Sequence, residues 1–583
     1  MNEREHLRIE RVDDIPILLA QLERMQVASL LDRHFPTHGN WQGLSLGQVV
    51  EVWLSHILSE GDHWLSHVEP WADQHLTCLQ ECLGQEVRSL DCSDDRLAAV
   101  LDDLSADEPW QAFERELSQH LIRVYDLRPS RVRIDSTTVS GYVQPTPDGL
   151  FQFGHSKDHR PDLPQVKIKL SALDPLGLPL TSTMVSGERA DDRLYVPAIQ
   201  RVQQTLVQRG LLYVGDCKMA ALPTRAYVQQ SGDFYLCPLS GVQVSAATLR
   251  SLVTPVQAGT QRLPTIERQS EQDDHPEAIA VGYESTHQVS LTQDKHTVQW
   301  DERVVVVRSL KLAQTHQAAL HQRLAKAQAE LALVNQTERK RGKKVLPQVQ
   351  EVREVAEAMV RRYRVDGLLE VEYHERMVSQ RPVRRYRERE AGMRVEREVS
   401  LSVQVNAAAV TQAESCLGWH VYVTNQPAEQ VSLEQAVLAY RGEYVIERGF
   451  GRLKGRPLSV RPMQLTSDNR VKGLLRLLSL GLRVLCLLEY QVRCQLAEHR
   501  EALAGLYAGN PTRTTRRPTS EALLKAFQGL HVTALTQHAQ TAYHVTPLSA
   551  LQERIIALLG FPADVYAKLA LHSSELTFKM SEP

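Results

Sequence analysis

The stretch Arg131-Val-Arg-Ile-Asp-Ser-Thr-Thr-Val139 has the pattern of a β-strand that carries one acidic side chain, Asp135. β-Branched side chains dominate it, and they favour the pleated surface of a sheet. The stretch Leu211-Leu-Tyr-Val-Gly-Asp216 is a second apolar run, and it ends in an acid. We therefore expect two β-strands, each of which presents one aspartate.

The chain around these two runs supplies the other elements of a sheet, by its apolar periodicity. The predicted elements are, in chain order, strands at 131–139, Gln165–Leu173 and Leu178–Ser186, a helix at 191–207, a strand at 211–214, a helix near Leu222–Gln230 and a strand at 233–236. This order, βββαβαβ, is that of the ribonuclease H-like fold, in which the first and fourth strands are neighbours. Asp135 and Asp216 should therefore face each other across adjacent strands.

A third acid belongs to a predicted helix much later in the chain. The stretch Tyr440-Arg-Gly-Glu-Tyr-Val-Ile-Glu-Arg-Gly-Phe-Gly-Arg-Leu-Lys454 lies in a helical pattern over residues 432–454, with Glu447 two turns before Lys454. A single acid at a strand end is usually a turn residue. Two strand acids and one helix acid together favour a shared site, where the carboxylates would repel one another without cations. Two Mg²⁺ ions suit such a site and in-line attack on a phosphodiester, and Mn²⁺ is an alternative.

The composition is that of a soluble globular protein. The chain has 583 residues, of which 42% are hydrophobic and 23% charged, enough for about three to five domains. No run approaches the roughly 20 apolar residues that cross a bilayer. The N-terminal stretch Met1-Asn-Glu-Arg-Glu-His6 is polar and lacks the apolar core of a signal peptide. We therefore expect a cytoplasmic protein with no membrane partner.

Charge distribution says more than net charge, which is only −3. Local basic clusters could neutralise phosphates, while acidic segments cancel the total. The alternative is that each cluster is a solvated surface. The clusters lie at residues 339–344, 361–364, 381–387 and 513–517.

The eight cysteines favour a reducing compartment and free thiols. His75, Cys78, Cys82 and Cys92 are close in sequence, so a zinc site is one interpretation. Their spacing matches no familiar ligand pattern, and buried structural thiols are the favoured interpretation.

These motifs together resemble those of the DDE-class insertion-sequence transposases, over nearly the whole chain. The subgroup in question has Tyr, two residues, Arg, three residues, Glu, six residues and Lys, and the match is at Tyr440, Glu447 and Lys454. The stretches Gly154-His-Ser-Lys-Asp-His-Arg-Pro-Asp-Leu-Pro-Gln165 and Gly39-Asn-Trp-Gln-Gly-Leu-Ser-Leu-Gly-Gln48 also look like signatures of these transposases.

The chain departs from the family pattern at two positions. Glu443 stands in the Arg slot of the signature, and Arg441 lies nearby on a different helical face. Many relatives carry Asp-Arg-Glu-Ala-Asp at the second acid, where this chain has Asp216-Cys-Lys-Met-Ala220. The second acid is retained, and Lys218 becomes a candidate DNA contact.

The resemblance implies a reaction, its cofactor and its partners. It implies Mg²⁺-dependent cleavage of double-stranded DNA at terminal inverted repeats, then transfer of the 3′-hydroxyl ends into target DNA. Asp135 would bridge both metal ions, while Asp216 and Glu447 would each bind one. The protein would act as a homodimer in the synaptic complex and associate with the nucleoid when bound to DNA.

The resemblance also indicates which side chains contact DNA. Lys454 would bind the terminal phosphate, and its alternative is a surface lysine. Trp419 would stack on a flipped base, or be a core tryptophan on an alternating strand. The basic cluster of His155, Lys157, His159 and Arg160 could hold DNA, with Asp158 and Asp162 paired to these bases. The candidate DNA-binding residues are Tyr440, Arg441, Lys454, Trp419, Lys157, His159, Arg160 and Lys218.

The expected fold class is α/β, a ribonuclease H-like core with an α+β insertion and helical flanks. A helical domain at 1–127 would bind the DNA ends, by position and analogy. The core would comprise 128–238 and the signature helix at 426–460, separated by the insertion at 239–425. A helical region at 461–583 would serve dimerisation or DNA contact.

Two other functions remain open at this stage. A catalytically silent DNA-binding remnant or repressor is favoured slightly by Glu443 in the Arg slot. A ribonuclease H-like nuclease without strand transfer would share the same three acids.

Overall fold

The computed structural model describes residues 6–269, 276–293, 296–335, 348–383, 392–461, 463–537 and 540–570. The basic cluster at 339–344 and residues 384–387 of the cluster at 381–387 lie outside these ranges. The chain divides into two compact units. The first unit comprises Met1–Cys237, Ser290–Val298 and Ala439–Pro583, and the second comprises Pro238–Val289 and Gln299–Leu438.

The N-terminal part of the first unit is mainly helical, as predicted. Its elements are β1 (His6–Arg11), α1 (Ile15–Arg24), α2 (Val27–His34), α3 (Leu46–Glu60), α4 (Leu65–Gln74), α5 (Leu76–Leu83), α6 (Asp94–Leu104) and α7 (Asp107–Val124). Ser45 caps α3, as predicted, and it forms a reciprocal capping box with Gln48. Because this cap satisfies free backbone N–H groups, the apolar residues of α3 can be buried from its first turn.

A mixed sheet follows, with the predicted order of elements. They are β2 (Arg131–Ser140), β3 (Gln165–Leu173), β4 (Leu178–Ser186), α8 (Tyr195–Leu206), β5 (Leu212–Gly215), α9 (Leu222–Gln230) and β6 (Phe234–Pro238). These strands lie in the order β4-β3-β2-β5-β6. β2 pairs antiparallel with β3 and parallel with β5. The prediction that the first and fourth strands of the series are neighbours is therefore confirmed.

The second unit is an α+β structure. The elements along this part of the chain are α10 (Ala246–Gln257), β7 (Thr265–Arg268), β8 (Glu277–Gln293), β9 (His296–Ser309), α11 (Leu310–Val334), α12 (Val349–Tyr363), β10 (Leu369–Val383), β11 (Gly392–Val405), α13 (Ala407–Ser415) and β12 (Trp419–Thr424). Apolar side chains of α11, α12 and β11 form a core, which includes Leu324, Ala356 and Leu401. The long hairpin β10–β11 was only half predicted, because the sequence indicated a strand at 399–405 and none opposite it.

The predicted helix at 432–454 is in fact two helices, α14 (Leu433–Arg441) and α15 (Tyr444–Lys454). Gly442 lies at the break and close to β2, since a Cβ on this glycine would be 2.3 Å from a guanidinium nitrogen of Arg133. The same guanidinium donates to the Ala439 carbonyl at 2.5 Å and to Asp174 at 3.0 Å. The chain between α14 and α15 therefore lies against Arg133 of β2.

Helix α16 (Asp468–Glu498) is a buried core helix, as predicted. Arg483, which is fully buried, donates to the Glu114 carboxylate of α7 at 2.7 Å and to the Pro179 carbonyl at 2.9 Å. Glu114 also accepts from Ser182 of β4 and from Arg201 of α8. One carboxylate thus joins α7, α8, α16 and the sheet.

Among the helices in the described ranges, none combines the length and apolar character that a membrane span needs.

The C-terminal region is not purely helical, which corrects the prediction for both flanks. Its elements are β13 (Leu503–Ala504), β14 (Thr514–Thr515), α17 (Ser520–Lys525), β15 (His531–Gln537), β16 (Gln540–Val545) and α18 (Ala550–Leu559). β15 pairs antiparallel with β1 and with β16 in a sheet of order β1-β15-β16. A pairing across more than 500 residues leaves no local sequence signal, so neither strand was predicted.

Candidate active site

Asp135 and Asp216 occupy equivalent places on two adjacent parallel strands. Ile134 of β2 pairs with Gly215 of β5, so each aspartate comes one residue after this pair. A Cβ on Gly215 would lie 2.7 Å from the Met219 sulfur, so only glycine fits before the second acid. The register therefore brings two carboxylates to one end of β5, as the sequence predicted.

The Asp216 carboxylate is held in place by short hydrogen bonds. Its Oδ1 accepts from the Tyr195 hydroxyl at 2.7 Å and from the backbone N–H of Lys218 at 2.9 Å. The Tyr195 hydroxyl is also 3.3 Å from the Ile134 carbonyl. Burial raises the Tyr195 pKa well above its usual value, and the charges of Asp216 and Asp135 raise it further. Tyr195 is therefore a neutral donor that orients Asp216.

Asp135 lies in a mostly buried position beside a lysine. Its Oδ1 accepts from the Ser136 N–H at 2.7 Å and from the Lys157 ammonium at 3.2 Å. Burial raises the Asp135 pKa, which Lys157 and Lys169 oppose and the charge of Asp216 reinforces. The neighbouring cations thus stabilise the ionised form of Asp135 against its burial.

Lys169 on β3 is a site residue that the sequence reasoning missed. Its side chain is buried, and its ammonium lies 3.4 Å from the centroid of the Tyr195 ring. It has no hydrogen-bond partner among the described residues. Burial lowers its pKa to about 8, against the opposing effects of Asp135 and Asp216. Little in the sequence signalled it, because Lys167 and Lys169 alternate with apolar residues of β3 as the polar face of a half-buried strand would.

A second lysine of β3 is fully paired. The Lys167 ammonium lies 2.8 Å from Asp191 Oδ1, which also accepts from the Ser136 hydroxyl at 3.0 Å. Burial acts to raise the Asp191 pKa, but the hydrogen bond and charge of Lys167 outweigh it and hold that pKa below its usual value. Asp191 is therefore an ionised partner of Lys167, which leaves Lys169 to face the two strand acids.

Glu443 and Glu447 lie one turn apart at the start of α15, which packs against β2. Glu443 is partly buried, and Glu447 is exposed. Burial raises the Glu443 pKa, and so do the charges of Asp135, Glu447 and Asp216, whereas a hydrogen bond with Tyr440 lowers it. Glu443, in the Arg slot of the signature, is thus a fourth acid, and the charges of both strand aspartates raise its pKa.

The donor set of the strand acids fits a divalent cation. Carboxylate oxygens are the ligands that Mg²⁺ prefers. Asp135 Oδ1 already accepts a hydrogen bond from the positively charged Lys157 ammonium. Within the described residues, no group of three or more His, Cys, Asp or Glu side chains is arranged to hold a metal ion. Lys157 stands where a cation is needed, beside Asp135.

Lys454, at the end of α15, pairs with an acid from a distant loop. Its ammonium lies 2.7 Å from Asp158 Oδ1, and Arg461 donates to the same oxygen. Burial lowers the Lys454 pKa to about 8, as does Lys157, while Asp135 raises it. The expected pairing of Asp158 with its neighbouring bases is wrong, because its carboxylate turns inward to α15. Asp162 does pair with Arg160, at 2.7 Å.

The other candidate DNA-binding residues lie in different settings. His155, His159, Arg160 and Lys218 are exposed, and Arg441 is partly buried. Trp419 belongs to the second unit, where it is buried on β12 and donates from its indole N–H to the Ser415 carbonyl at 2.9 Å. Its place in the structure matches the core alternative.

The cysteines do not form a metal site within the described part of the chain. Cys78 and Cys92 are buried and Cys82 is partly buried, all as free thiols. This agrees with the favoured interpretation of structural thiols.

Two known families match parts of this chain. The family described as "Transposase DDE domain" matches residues 127–484, and "Domain of unknown function (DUF4277)" matches residues 7–117. A cryo-EM structure of the piggyBac transposase synaptic complex with hairpin DNA aligns at 10% identity and a TM-score of 0.22. That alignment covers 52% of this chain and 60% of that chain, which is less than two thirds of its length. No curated protein matches the chain.

Proposed function

The chain belongs to the Transposase DDE domain family, and we propose that it cleaves DNA at the terminal inverted repeats of its own element. We further propose that it joins the resulting 3′-hydroxyl ends to target DNA, as a homodimer. The observation that carries this proposal is the pair Asp135 and Asp216, which follow register partners on adjacent parallel strands. Two close carboxylates with a neutral Tyr195 beneath them form a site for metal-dependent phosphoryl transfer.

The finer architecture belongs to the same proposal. Residues 128–238 and 426–460 would form the ribonuclease H-like core, with the Tyr…Glu…Lys signature of the subgroup on α14 and α15. The insertion would be 239–425, whose extent is close to that of the second unit. The region 1–127 would bind DNA ends, and 461–583 would serve dimerisation or DNA contact.

Asp135, Asp216 and Glu447 are the proposed metal ligands. When bound, Mg²⁺ or Mn²⁺ would neutralise charge on the phosphodiester and lower the pKa of the attacking water or hydroxyl. The chain's own residues prepare the site, because Tyr195 orients Asp216 and Lys169 offsets the charge of both aspartates. Glu443 is close enough to sense these charges, which supports a position for α15 beside the strand acids.

DNA contacts are proposed for basic side chains near this site. Lys454 would bind the terminal phosphate, and its ion pair with the Asp158 carboxylate is consistent with binding an anion. The exposed side chains of His159, Arg160 and Lys218 would contact phosphates of the DNA backbone. The proposed DNA contacts also include Tyr440 and Arg441 of the signature region, Lys157 of the basic cluster, and Trp419. Trp419 would have to leave its buried position to stack on a base.

The deciding experiment is Mg²⁺-dependent cleavage of a labelled duplex that carries the element's terminal repeat. We expect wild type to cut at the repeat end and Asp135→Ala to lose at least about 10²-fold in rate. Asp95→Ala, which removes an exposed acid of α6, is the control and should cut normally. Binding without cutting by wild type would favour the silent DNA-binding protein, and cutting without end joining would favour the nuclease.

A further inference from the structure

One loop contributes adjacent, oppositely charged residues to this site. We call residues 154–163 the plug loop. An isolated bridge between Gln152 and Gln165 closes its base. Gly154 lies against the backbone of Gly187, where a Cβ would be 2.5 Å from the carbonyl oxygen. The loop is therefore anchored where β3 begins and β4 ends, and β3 pairs with β2, the strand that carries Asp135.

Backbone hydrogen bonds fix which loop residues point inward. The Ser156 hydroxyl accepts from the N–H groups of Asp158 and Arg160, at 3.2 and 3.1 Å. The Lys157 N–H donates to the Thr138 hydroxyl of β2 at 3.1 Å, and His159 adopts a left-handed conformation with φ of 56°. This turn directs Lys157 and Asp158 inward and leaves His159 exposed.

The two inward residues neutralise opposite halves of the site. The Lys157 ammonium contacts Asp135 at 3.2 Å and the Ser136 carbonyl at 2.5 Å. The Asp158 carboxylate contacts Lys454 and Arg461. The Lys157 ammonium thus lies on Asp135, a proposed metal ligand. The Asp158 carboxylate lies between Lys454, at the end of α15, and Arg461.

We propose that Lys454 and Arg461 form a binding site for one phosphodiester group of a DNA strand, and that Asp158 occupies this site in the DNA-free protein. This rests on the proposed function. A carboxylate and a phosphate both offer paired anionic oxygens to lysine and arginine, so one can replace the other. Arg461 is a new assignment, since it lies beyond the signature.

Asp158 is a replaceable occupant because its own pairing is incomplete. Its side chain is only 6% exposed, yet its Oδ2 has no hydrogen-bond partner among the described residues. A buried acceptor without a donor is unfavourable, because it has given up its hydrogen bonds with water and gained none in the protein. A phosphodiester that approaches from solvent keeps water on its outer oxygens and takes over both cations.

Displacement of Asp158 has a consequence for the metal ligands. Asp158 and Lys157 are consecutive, so a movement of the plug loop that withdraws Asp158 would also draw the Lys157 ammonium away from Asp135. DNA binding would then favour metal binding, and by linkage metal would favour DNA binding to the same extent. The plug loop therefore couples the two sites.

The test measures DNA binding by fluorescence anisotropy, without divalent metal, using full-length protein and a labelled oligothymidine strand. We expect Asp158→Asn to bind about tenfold more tightly than wild type. Asp148→Asn removes an exposed acid just before the loop and should leave affinity unchanged. In the Asp158→Asn background, Arg461→Gln should abolish the gain.

Equal or weaker binding by a folded Asp158→Asn protein overturns the proposal. If that variant does not fold, Arg461→Gln alone decides, because it must weaken DNA binding and lower the salt dependence by about one phosphate contact. Mn²⁺ affinity, measured by electron paramagnetic resonance, should rise in wild type when the oligonucleotide is added. No rise overturns the coupling. If the binding test or the Mn²⁺ test is negative but the wild-type protein still cleaves repeat ends, the proposed function stands and only this inference fails.

Discussion

Two clusters in the first unit bury charge, and they differ in how completely their groups are satisfied. Around Glu114, every cation has a clear acceptor, and Arg483 reaches a carboxylate and backbone carbonyls in one buried network. Around Asp135, by contrast, the Lys169 ammonium and Asp158 Oδ2 have no hydrogen-bond partner among the described residues. A satisfied network holds helices in place, whereas an unsatisfied cluster retains capacity for an incoming ligand.

The largest effect on stability should come from breaking the satisfied network. Arg483→Met leaves the buried Glu114 short of one cation, so we expect the first unit to lose about 3–5 kcal/mol. Hydrogen exchange of α7 and α16 amides measures it. Arg470→Met removes an exposed pair with Asp102 and should cost no more than about 1 kcal/mol. Similar losses in both variants would show that burial does not distinguish the clusters.

The opposite sign is expected for Lys169→Met in the unsatisfied cluster. A buried ammonium without hydrogen-bond acceptors opposes folding, so its replacement by an apolar chain should stabilise the first unit by up to about 3 kcal/mol. The same change should slow cleavage, because Asp135 and Asp216 lose a neighbouring cation. The urea midpoint and the cleavage rate together test this. A loss of both stability and activity would mean that Lys169 is a structural residue.

The smallest effect is a pH dependence of the difference in stability between Lys169→Met and wild type. Burial lowers the Lys169 pKa to about 8, below its unfolded value near 10.4, so the unfolded chain binds more protons between these values. The penalty is complete below pH 8 and is relieved as pH rises towards 10. The stability advantage of Lys169→Met over wild type should therefore shrink across this range. A constant difference would contradict the lowered pKa.

Local sequence pattern was enough to predict the sheet and its two acids. The stretch 131–139 is rich in β-branched side chains and 211–214 is a short apolar run, so local pattern identified both strands. The order of strands then implied that Asp135 and Asp216 are neighbours, and the register confirms it. These features depend on local preferences and on one topological rule.

The features that the sequence did not reveal all depend on long-range contacts. The helix break at Gly442 lies against Arg133, which comes more than 300 residues earlier in the chain. Asp158 was expected to pair with its neighbours, yet its partners Lys454 and Arg461 come about as far along the chain. Lys169 looked like one lysine of a strand, and only its burial beside Tyr195 reveals its role. No helical or alternating pattern encodes such pairings.

The three-stranded sheet β1-β15-β16 has a consequence for biosynthesis. β1 leaves the ribosome more than 500 residues before its partner β15. Helix α16, which carries Arg483, also follows the entire second unit. Such non-local contacts form late, after the intervening chain has been made. A nascent or prematurely terminated polypeptide would hold Asp135 and Asp216 without the helix that braces their sheet, so the proposed cleavage activity would await synthesis of α16.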